Sequence, residues 1–407
     1  MDPVESKNIV VIGGSCVLYG ILLELKELEF PIGYRIIVIE KHSHAHYMFA
    51  FPRAAVISGF EQDLLVPYDN ALPSEQGTVI NAAVTKINKD TVELDRNVDG
   101  FGQSIPYSYL IYATGAKHPE PGNFNNLNTK DLVIEKLKYY QSSIQNAKKI
   151  CIVGGGAVGV ELAAEIKEHY PEKSVTLVHS RERYLPMYKR GMHRRIFKIL
   201  KKLGVIQILG DRVILNDNDE NHKLFTKKGV EIECDLMIPC TGMSPNSELI
   251  AKLSPSSVDP NNKYVKVKPT LQLVDELYPN IFAGGDVCDI DQVKVGFAAF
   301  AHAYIIIENI FKLIRKNEPE RFLSKLTPLK LSFWKRLRRK TPKCPLELDK
   351  HKPVVPQIGL YLGENNAVGQ YIRYGIPVVV GNRYMKKYFT SNIGADRAWR
   401  WLNASKP

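Results

Sequence analysis

The sequence predicts an α/β fold with two parallel-sheet domains, one nested within the other, and a small α+β domain at the C-terminal end. Residues 7–41 contain an apolar β-rich run, a Gly-rich turn, a helical stretch and a second apolar run, and residues 148–181 repeat this order. Each unit is typical of a strand, a crossover helix and a parallel strand. The length of 407 residues also exceeds what one hydrophobic core usually organises. We therefore predict two Rossmann-type domains rather than one.

The composition is that of an ordinary globular protein, with 44% apolar and 24% charged residues, far from the signature of a disordered chain. The net charge of +12 is unevenly placed. Residues 315–352 contain thirteen Lys and Arg against four Asp and Glu, which gives 13 − 4 = +9 for this segment alone. The positive charge is therefore better interpreted as one local surface for interaction than as a property of the whole protein.

The six cysteines are scattered and form neither Cys-x-x-Cys nor Cys-x4-Cys. This spacing predicts no metal site and no redox-active disulfide, and it is typical of a reducing compartment. The start of the chain, MDPVESKN, lacks the regions of a signal peptide, and Asp2 stands where N-myristoylation needs glycine. Because no run of 18 apolar residues occurs, we do not expect a membrane-spanning segment.

The second Gly-rich turn is complete, whereas the first is degenerate. Gly154, Gly156 and Gly159 follow a predicted strand at 150–153 and precede a predicted helix at 161–169 and a strand at 175–179. Such glycines allow the tight turn, the approach of a pyrophosphate to the backbone, and close packing of helix and strand. In the first turn Gly13 corresponds to the first of these glycines, but Ser15 and Leu18 replace the other two.

Because the first turn is degenerate, a Rossmann-like domain that has lost its ligand is an open alternative. Leu18 is the difficult residue, because its bulk lies where helix and strand should touch, unless a shift of the helix recruits Gly20 instead.

The predicted strands end in residues that suit a dinucleotide. Glu40 lies where a carboxylate accepts hydrogen bonds from ribose hydroxyls, although a solvated surface glutamate is the alternative. A second strand ends in Ala113-Thr114-Gly115, and a third ends before Asp286. In the second unit the corresponding strand ends in His179-Ser180-Arg181, without an acid. Because Arg181 or Arg183 could pair with a 2′-phosphate, both NADH and NADPH stay open.

Taken in order, the fingerprint, the terminal acid, Ala-Thr-Gly, the second fingerprint, Pro-Cys-Thr-Gly at 239–242 and Phe-Ala-Gly-Gly-Asp resemble the pyridine-nucleotide-disulfide-oxidoreductase superfamily. The stretches EKHSHAHYMFAFPRAAV, GVELAAEIKEHYPEKSVTLVHS, NIFAGGDVCD and LGENNAVGQ are similar to its apoptosis-inducing-factor-2 branch, also called the ferroptosis-suppressor branch, including fungal members. The resemblance implies FAD, NADH or NADPH, and a quinone or other small electron acceptor.

The resemblance also implies roles for individual residues. The positions implied for FAD are Gly13, Gly14, Ser15, Cys16, Val17, Glu40, Lys41, Arg53, Val84, Ala113, Thr114, Gly115 and Asp286. Those implied for the pyridine nucleotide are Gly154, Gly156, Gly159, His179, Arg181 and Gly242. Glu161 matches a glutamate that faces the nicotinamide and the flavin, with a first-turn helix glutamate as the alternative.

His302 is a further candidate, either as a proton donor to flavin or quinone or as a satisfied core histidine. Because no Cys-x4-Cys lies in the chain, electrons are expected to leave the reduced flavin directly for a small acceptor.

We divide the chain into a FAD domain (residues 1–120 and 245–316), an NAD(P)H domain (121–244), a basic amphipathic insertion (317–346) and a C-terminal acceptor domain (347–407). The last domain contributes aromatic residues that could line an apolar slot, namely Tyr361, Tyr384, Tyr388, Phe389, Trp399 and Trp401. The active-site lysine of the branch falls near Arg383 or Tyr384, which is a departure from the pattern. In the insertion, aromatic and aliphatic residues alternate with cations, which suits an interfacial helix on an anionic membrane or else a solvated basic loop.

We expect a cytoplasmic protein, with peripheral contact to a membrane or lipid droplet or a mitochondrial association as open alternatives, and the oligomeric state stays open as well. A cell-death or nucleic-acid-associating flavoprotein is a second function class, although the sequence contains no nucleic-acid-binding motif. A type II NADH dehydrogenase of a respiratory chain, or a reductase of a small iron–sulfur protein, is a third. Turnover with soluble quinones against protein acceptors discriminates among the enzymes.

Overall fold

The computed structural model describes residues 6–214, 223–290, 293–322, 347–388 and 395–404. The strands are β1 (Lys7–Ile12), β2 (Tyr34–Glu40), β3 (His44–His46), β4 (Leu65–Pro67), β5 (Gly77–Asn81), β6 (Val84–Ile87), β7 (Thr91–Val98), β8 (Gly102–Pro106), β9 (Tyr109–Tyr112), β10 (Ala116–Lys117), β11 (Lys149–Val153), β12 (Ser174–His179), β13 (Ile206–Leu209), β14 (Val213–Ile214), β15 (Lys223–Thr226), β16 (Glu231–Glu233), β17 (Leu236–Pro239), β18 (Ser244–Pro245), β19 (Ile281–Ala283), β20 (Ile358–Tyr361), β21 (Ala367–Arg373) and β22 (Ile376–Gly381). The helices are α1 (Cys16–Leu25), α2 (Phe51–Ala54), α3 (Lys130–Asn146), α4 (Ala157–His169), α5 (Arg190–Lys202), α6 (Glu248–Leu253), α7 (Gly296–Asn317), α8 (Asn382–Tyr388) and α9 (Ala395–Trp401).

The first domain is built on a five-stranded parallel sheet in the order β19-β9-β1-β2-β5. Its central strands are apolar on both faces, as expected for a parallel sheet covered on both sides. Helix α1 connects β1 to β2, and α7 packs against α1. The order confirms the predicted α/β class and brings the carboxyl ends of all five strands to one edge.

The second domain has a four-stranded parallel sheet in the order β13-β12-β11-β17, with the antiparallel strands β14–β16 beside it. It lies in the chain between β10 and β18, which pair with each other in antiparallel fashion. The chain therefore leaves the first domain and returns to it at one place. This is the nested arrangement that the sequence predicts.

The C-terminal part forms the antiparallel sheet β20-β21-β22 and helices α8 and α9. It packs on the second domain, where the Lys189 backbone N–H donates to Oε1 of Gln370 at 2.8 Å. It also contacts the first domain, where Nε1 of Trp399 donates to the carbonyl of Asp63 at 2.8 Å. These contacts hold the C-terminal part of the chain against both the first and the second domain.

Helix α7 is the one helix in the described part of the chain that is long and apolar enough to cross a membrane, by length and composition only. However, 61% of its apolar window is buried inside the structure. Ala303 and Phe300 on this helix face Gly20 of α1 so closely that a Cβ at Gly20 would lie 2.5 Å from the Cβ of Ala303. Core packing therefore accounts for the apolar character of α7.

This contact also answers the question raised by Leu18, and it corrects the expectation for Gly20. Leu18 is fully buried among the apolar residues of the core. Gly20 does not replace the third glycine of the turn at the strand, because its close neighbours belong to α7. The small residue thus serves helix-to-helix packing instead.

We expect Gly20→Ala to lower the free energy of unfolding by about 1–3 kcal/mol, because the added methyl overpacks the α1–α7 contact. Urea unfolding followed by circular dichroism measures the change. Gly191→Ala is the matched control, since Gly191 is also helical but its added Cβ would lie 3.4 Å from Val379, an ordinary contact. The control should be neutral or slightly stabilising. Equal losses for both variants would contradict the packing explanation.

The chain after α7 packs on the first domain for longer than the predicted boundary at residue 317 implies. Glu318 accepts hydrogen bonds from Nζ of Lys7 at 2.9 Å, from the Tyr34 hydroxyl at 2.7 Å and from Nε of Arg321 at 2.6 Å. Phe322, which we placed in the amphipathic insertion, is buried. The rest of that predicted insertion, residues 323–346, lies outside the described residues.

Candidate active site

A large cavity of about 1020 Å³ lies where the carboxyl ends of β1, β2, β5, β9 and β19 meet. Its volume is at the upper end of ordinary ligand sites. The second domain contributes the start of α4, and the C-terminal sheet contributes β20. Ligands in open parallel sheets bind at this edge, so the position fits the glycine-turn predictions.

The first Gly-rich turn forms one wall of the cavity. Gly13 has φ +114°, and a Cβ there would lie 2.3 Å from the carbonyl oxygen of Ala113. Helix α1 begins at Cys16 against the cavity. Its first backbone N–H groups and the positive end of its dipole favour an anion such as a pyrophosphate. The turn therefore keeps the geometry of the fingerprint even though only its first glycine has been retained.

Glu40 closes the same end of the cavity. Its Oε2 accepts from the Gly14 N–H at 2.6 Å, and its Oε1 accepts from the His42 N–H at 2.9 Å and lies 2.6 Å from Nδ1 of His42. Burial opposes ionisation of this carboxyl, but the bonds to His42 and Gly14 outweigh burial and hold the pKa of Glu40 below its usual range. Glu40 is thus an ionised acceptor in the cavity rather than a solvated surface residue.

The crossover between the domains is clamped by Asn246, which the sequence reasoning missed. Nδ2 of Asn246 donates to the carbonyl of Thr114, and the hydroxyls of Thr114 and Tyr112 donate to the carbonyl of Asn246, at 2.6–2.8 Å. The Asn246 N–H also donates to the carbonyl of Gly115. An asparagine after Pro-Cys-Thr-Gly carries no motif of its own, so only the fold reveals this role.

Asp286 lies in the cavity wall at the end of β19. Burial raises the pKa of this carboxyl, while the nearby His118, Lys294 and His302 oppose the shift. The remaining positions implied for FAD line the same cavity, namely Gly14, Ser15, Val17, Lys41, Arg53 and Val84. The structure therefore brings all thirteen of these implied positions, from the turn to Asp286, to a single cavity.

His302 fits the core-histidine alternative of the two that we considered. The side chain is 2% exposed, and its Nδ1 accepts from the Gly285 N–H at 3.0 Å. Its ring packs edge-on against His351 at 4.5 Å and does not line the cavity. The ring thus contacts the turn before Asp286, as the core-histidine alternative expects, and the role of proton donor stays a prediction.

Arg53 lies in the cavity but has a partner that the sequence did not predict. Its Nε donates to Oε1 of Glu165 at 2.9 Å, and its Nη2 lies 2.8 Å from the same oxygen. Glu165 is one helical turn after Glu161 on α4, and both line the cavity. Burial raises the pKa of the Glu165 carboxyl, while the charge and the hydrogen bond of Arg53 oppose the shift. The Arg53 guanidinium would therefore be shared between Glu165 and the pyrophosphate that we expect it to contact.

Glu161 links the second domain to the C-terminal sheet. Its Oε1 accepts from the Tyr361 N–H of β20 at 3.0 Å. Burial raises the pKa of Glu161 to about 8 and the charge of Glu165 adds to this, while the Tyr361 N–H and Arg53 oppose it. A carboxyl that keeps its proton at neutral pH, enclosed in a cavity, can give that proton to a substrate.

The second fingerprint lies beside this cavity rather than in its wall. A Cβ at Gly159 would lie 1.8 Å from the carbonyl of Gly154, whereas a Cβ at Gly156 would meet open space. Nδ1 of His179 accepts from the Gly155 N–H at 3.1 Å. Gly242 has φ +89° with open space around it, and Arg181 is exposed at the end of β12. Helix α4 starts at Ala157, earlier than predicted, so its N-terminal end faces this open turn.

The C-terminal end of the cavity is aromatic, although with a different set of residues from the one predicted. Tyr361 and Trp401 line the cavity, but Trp399 is buried in the core and Tyr384 lies outside the wall. Phe389 and the side chain of Tyr388 lie outside the described residues. The lining that the sequence reasoning missed consists of Phe49, Phe297, Phe300, Tyr371 and Met385.

Comparison with known proteins decides the family. The model of the pyridine nucleotide-disulphide oxidoreductases matches residues 7–304. The chain belongs to this family. As a member of the pyridine nucleotide-disulphide oxidoreductases, it is an NAD(P)H-dependent flavin oxidoreductase, and FAD and a pyridine nucleotide are its cofactors.

Relatives that match almost the whole length confirm the branch that the motifs predict. The chain is 31% identical to Fe-regulated protein 8 of Mycosarcoma maydis over 386 residues, 90% of this chain and 89% of that protein. It is 27% identical to ferroptosis suppressor protein 1 of Homo sapiens over 413 residues, 98% of this chain and 97% of that protein.

Among solved structures, the sulfide:quinone oxidoreductase of Aquifex aeolicus matches with a TM-score of 0.70 and 19% identity, over 98% of this chain and 92% of that one. This likeness supports the fold of the oxidoreductase.

The residues present fit FAD. The cavity combines a positive-φ glycine turn at a helix start, the ionised Glu40 at the end of β2, and Asp286 in the turn after β19. These groups would hold the pyrophosphate, the ribose hydroxyls and the ribityl chain, respectively. Phe300 and Tyr361 also line the cavity, and aromatic side chains of this kind suit a flat ring system.

Proposed function

We propose that this oxidoreductase passes two electrons from NAD(P)H to a quinone-type acceptor. When bound, FAD takes a hydride from the reduced nicotinamide and supplies two electrons to the acceptor. The overall balance is NAD(P)H + H⁺ + quinone → NAD(P)⁺ + hydroquinone. The chain must therefore bind two substrates, exclude water and provide one proton.

The observation that carries this proposal is Glu161. It lies in the cavity between helix α4 and the aromatic end, and its raised pKa of about 8 keeps it protonated at neutral pH. Reduction of a quinone requires protons at its oxygens, and a positioned acid supplies them faster than bulk water. The Tyr361 N–H holds Oε1 in place, so the proton-bearing group has a fixed position.

Cys16 supports a small acceptor over a disulfide. It is the one cysteine in the cavity wall among the residues that the structure describes. Burial raises the pKa of the Cys16 thiol to about 12, and the charge of Asp286 adds to this. A thiol that stays protonated is a poor nucleophile for disulfide exchange. Electrons are therefore best delivered directly to a molecule in the aromatic end of the cavity.

A panel of acceptors tests the proposal. The purified holoenzyme is given NADPH or NADH with a soluble short-chain quinone, glutathione disulfide, or a small iron–sulfur protein. We expect quinone turnover to exceed the other two rates by at least about tenfold. Faster turnover with either of the other acceptors would overturn the quinone assignment.

We propose that Arg181 gives the second site its capacity for NADPH. It is exposed at the end of β12, where no acid is present to accept from a ribose 2′-hydroxyl. Arg181→Ala should raise the KM for NADPH by about tenfold or more, since a bond to a charged group contributes about 1.5–3 kcal/mol. The KM for NADH should stay unchanged. Arg194→Ala, an exposed cation of α5, is the control, and an equal effect of both variants on NADPH would contradict the assignment.

A further inference from the structure

The end of the C-terminal hairpin exposes apolar side chains that core packing does not explain. We define the hairpin strip as Tyr374, Ile376 and Val378, which are 90%, 60% and 37% exposed. Single exposed apolar residues are common on soluble proteins. Three exposed apolar side chains within five residues of one hairpin form a patch, and such patches often mark interaction sites.

The turn that joins β21 to β22 retains an aromatic residue where the backbone disfavours one. Tyr374 has φ +50° and Gly375 has φ +76°, the positive values of a two-residue type I′ turn. Asn, Asp or Gly normally occupies the first of these positions, because other residues are strained at a positive φ. The exposed phenol ring offsets none of this strain by burial in the fold. A tyrosine at this tip is therefore better explained by a contact outside the chain.

The strip belongs to the same face of the sheet as the cavity wall. Tyr371, which lines the cavity, pairs with Val378. The next pair on the same face of the ladder is Arg373 with Ile376. Because side chains alternate between faces, these four residues share one face. Gln370 and Val379 lie on the other face, against the second domain. The strip thus continues the wall of the cavity outward to the hairpin tip.

The charge along the sequence on either side of the strip has one sign. Residues 365–388 contain no Asp or Glu and four cations, Arg373, Arg383, Lys386 and Lys387. The Arg373 guanidinium lies 5.5 Å from the centroid of the Tyr374 ring, and Arg383 is exposed. An exposed tyrosine, aliphatic side chains and cations without acids are the combination that favours the surface of an anionic bilayer.

We propose that the hairpin strip is a membrane-docking surface, which places Tyr374, Ile376 and Val378 in the interface of a bilayer with anionic headgroups. Docking does not rest on the proposed function, since it needs no turnover. If that function holds, docking also brings the cavity face of the C-terminal sheet to the lipid, where a long-chain acceptor is dissolved. A second copy of the chain is a poorer occupant, because Pro377 in the edge strand β22 disfavours strand-to-strand pairing.

Vesicle flotation of the full-length holoenzyme tests the surface. The vesicles consist of phosphatidylcholine with phosphatidylserine, or of phosphatidylcholine alone. The test variant carries Tyr374→Asn and Ile376→Thr, which suit a positive φ and a strand, respectively, so the hairpin should still form. The matched control is Leu277→Asn, which removes a 73% exposed apolar side chain from the turn before β19.

We expect the wild type to float with the anionic vesicles, and the double variant to bind at least about tenfold more weakly. Leu277→Asn should bind like the wild type. A melting temperature no lower than that of the wild type and an unchanged flavin spectrum show that the double variant is folded. Three results would overturn the proposal: no flotation of the wild type, equal flotation of the double variant, or retention of the wild type by DNA without flotation. Acceptor turnover enters none of these readouts, so the two proposals can fail separately.

Discussion

Glu161→Gln should lower the turnover of NADPH with a soluble quinone by about 100-fold or more, while FAD is retained. The glutamine keeps the shape and the acceptor for the Tyr361 N–H but cannot give up a proton. Loss of a positioned general acid typically costs 10²–10⁴-fold, so about 100-fold is the lower bound. Stopped-flow absorbance separates the reduction of the flavin from the reduction of the quinone, and the second step should be the slower one.

The role of Glu161 as an acid also predicts how turnover changes with pH. Because the pKa of Glu161 is raised to about 8, the acid is present below pH 8 and is lost above it. Wild-type turnover should therefore fall above about pH 8, whereas that of Glu161→Gln should be low and flat. Because the folded protein binds this extra proton, the free energy of unfolding falls as the pH rises from the ordinary carboxyl pKa of 4.5 to about 8, and the contribution is absent above that pH. Glu161→Gln should consequently melt at a higher temperature than the wild type at pH 9.

Glu172→Gln is the control for this experiment, since Glu172 is an exposed carboxyl just after α4. It should match the wild type in turnover and in pH profile. Wild-type turnover by Glu161→Gln would remove Glu161 from the proton path. A slow flavin reduction with normal quinone reduction would instead give it a role toward the nicotinamide.

Gly13→Ala should abolish FAD retention and destabilise the first domain by about 3 kcal/mol. An alanine Cβ would meet the Ala113 carbonyl oxygen at 2.3 Å and its carbon at 2.8 Å, and φ is +114°. Both the strained backbone and the clash with a neighbouring strand end oppose the native turn. The ratio of flavin to protein absorbance after gel filtration, together with urea unfolding, measures both effects.

Gly102→Ala separates the two causes. Gly102 also has a positive φ, +76°, but a Cβ there would meet nothing within 4 Å. It should cost about 1–2 kcal/mol from the backbone alone and leave FAD bound. If Gly13→Ala retained its flavin, the first turn would not be the pyrophosphate site, whatever the change in stability.

Much of the first domain could be predicted because local patterns specify it. The apolar runs at β1 and β2, the Gly-rich turn between them and Glu40 at the end of β2 follow one another along the chain, so their spacing predicts the fold. The bounds of the second unit were also close. Helix α4 begins earlier than predicted, at Ala157, because it follows Gly156 directly and includes Gly159 in its first turn. Strand β11 begins one residue earlier, at Lys149.

The parts of the site that escaped prediction are those assembled across the chain. Phe49, Phe297 and Tyr371 meet in one cavity although more than 300 residues separate the first from the last. The ion pair of Arg53 with Glu165 joins two domains, and no local pattern encodes it. His302 illustrates the opposite difficulty, because its place in an apolar helix after the Gly-Gly-Asp turn suggested chemistry, whereas the structure shows the side chain buried against that turn.

The central claim is that one cavity holds FAD and transfers electrons from NAD(P)H to a quinone. Anaerobic absorbance of the purified full-length protein tests it most directly. We expect flavin bands in the isolated protein, bleaching of these bands on addition of NADPH, and their return on addition of a soluble quinone. A colourless protein whose spectrum stays without flavin bands after incubation with FAD, or a bleached flavin that the quinone does not restore, would contradict the account.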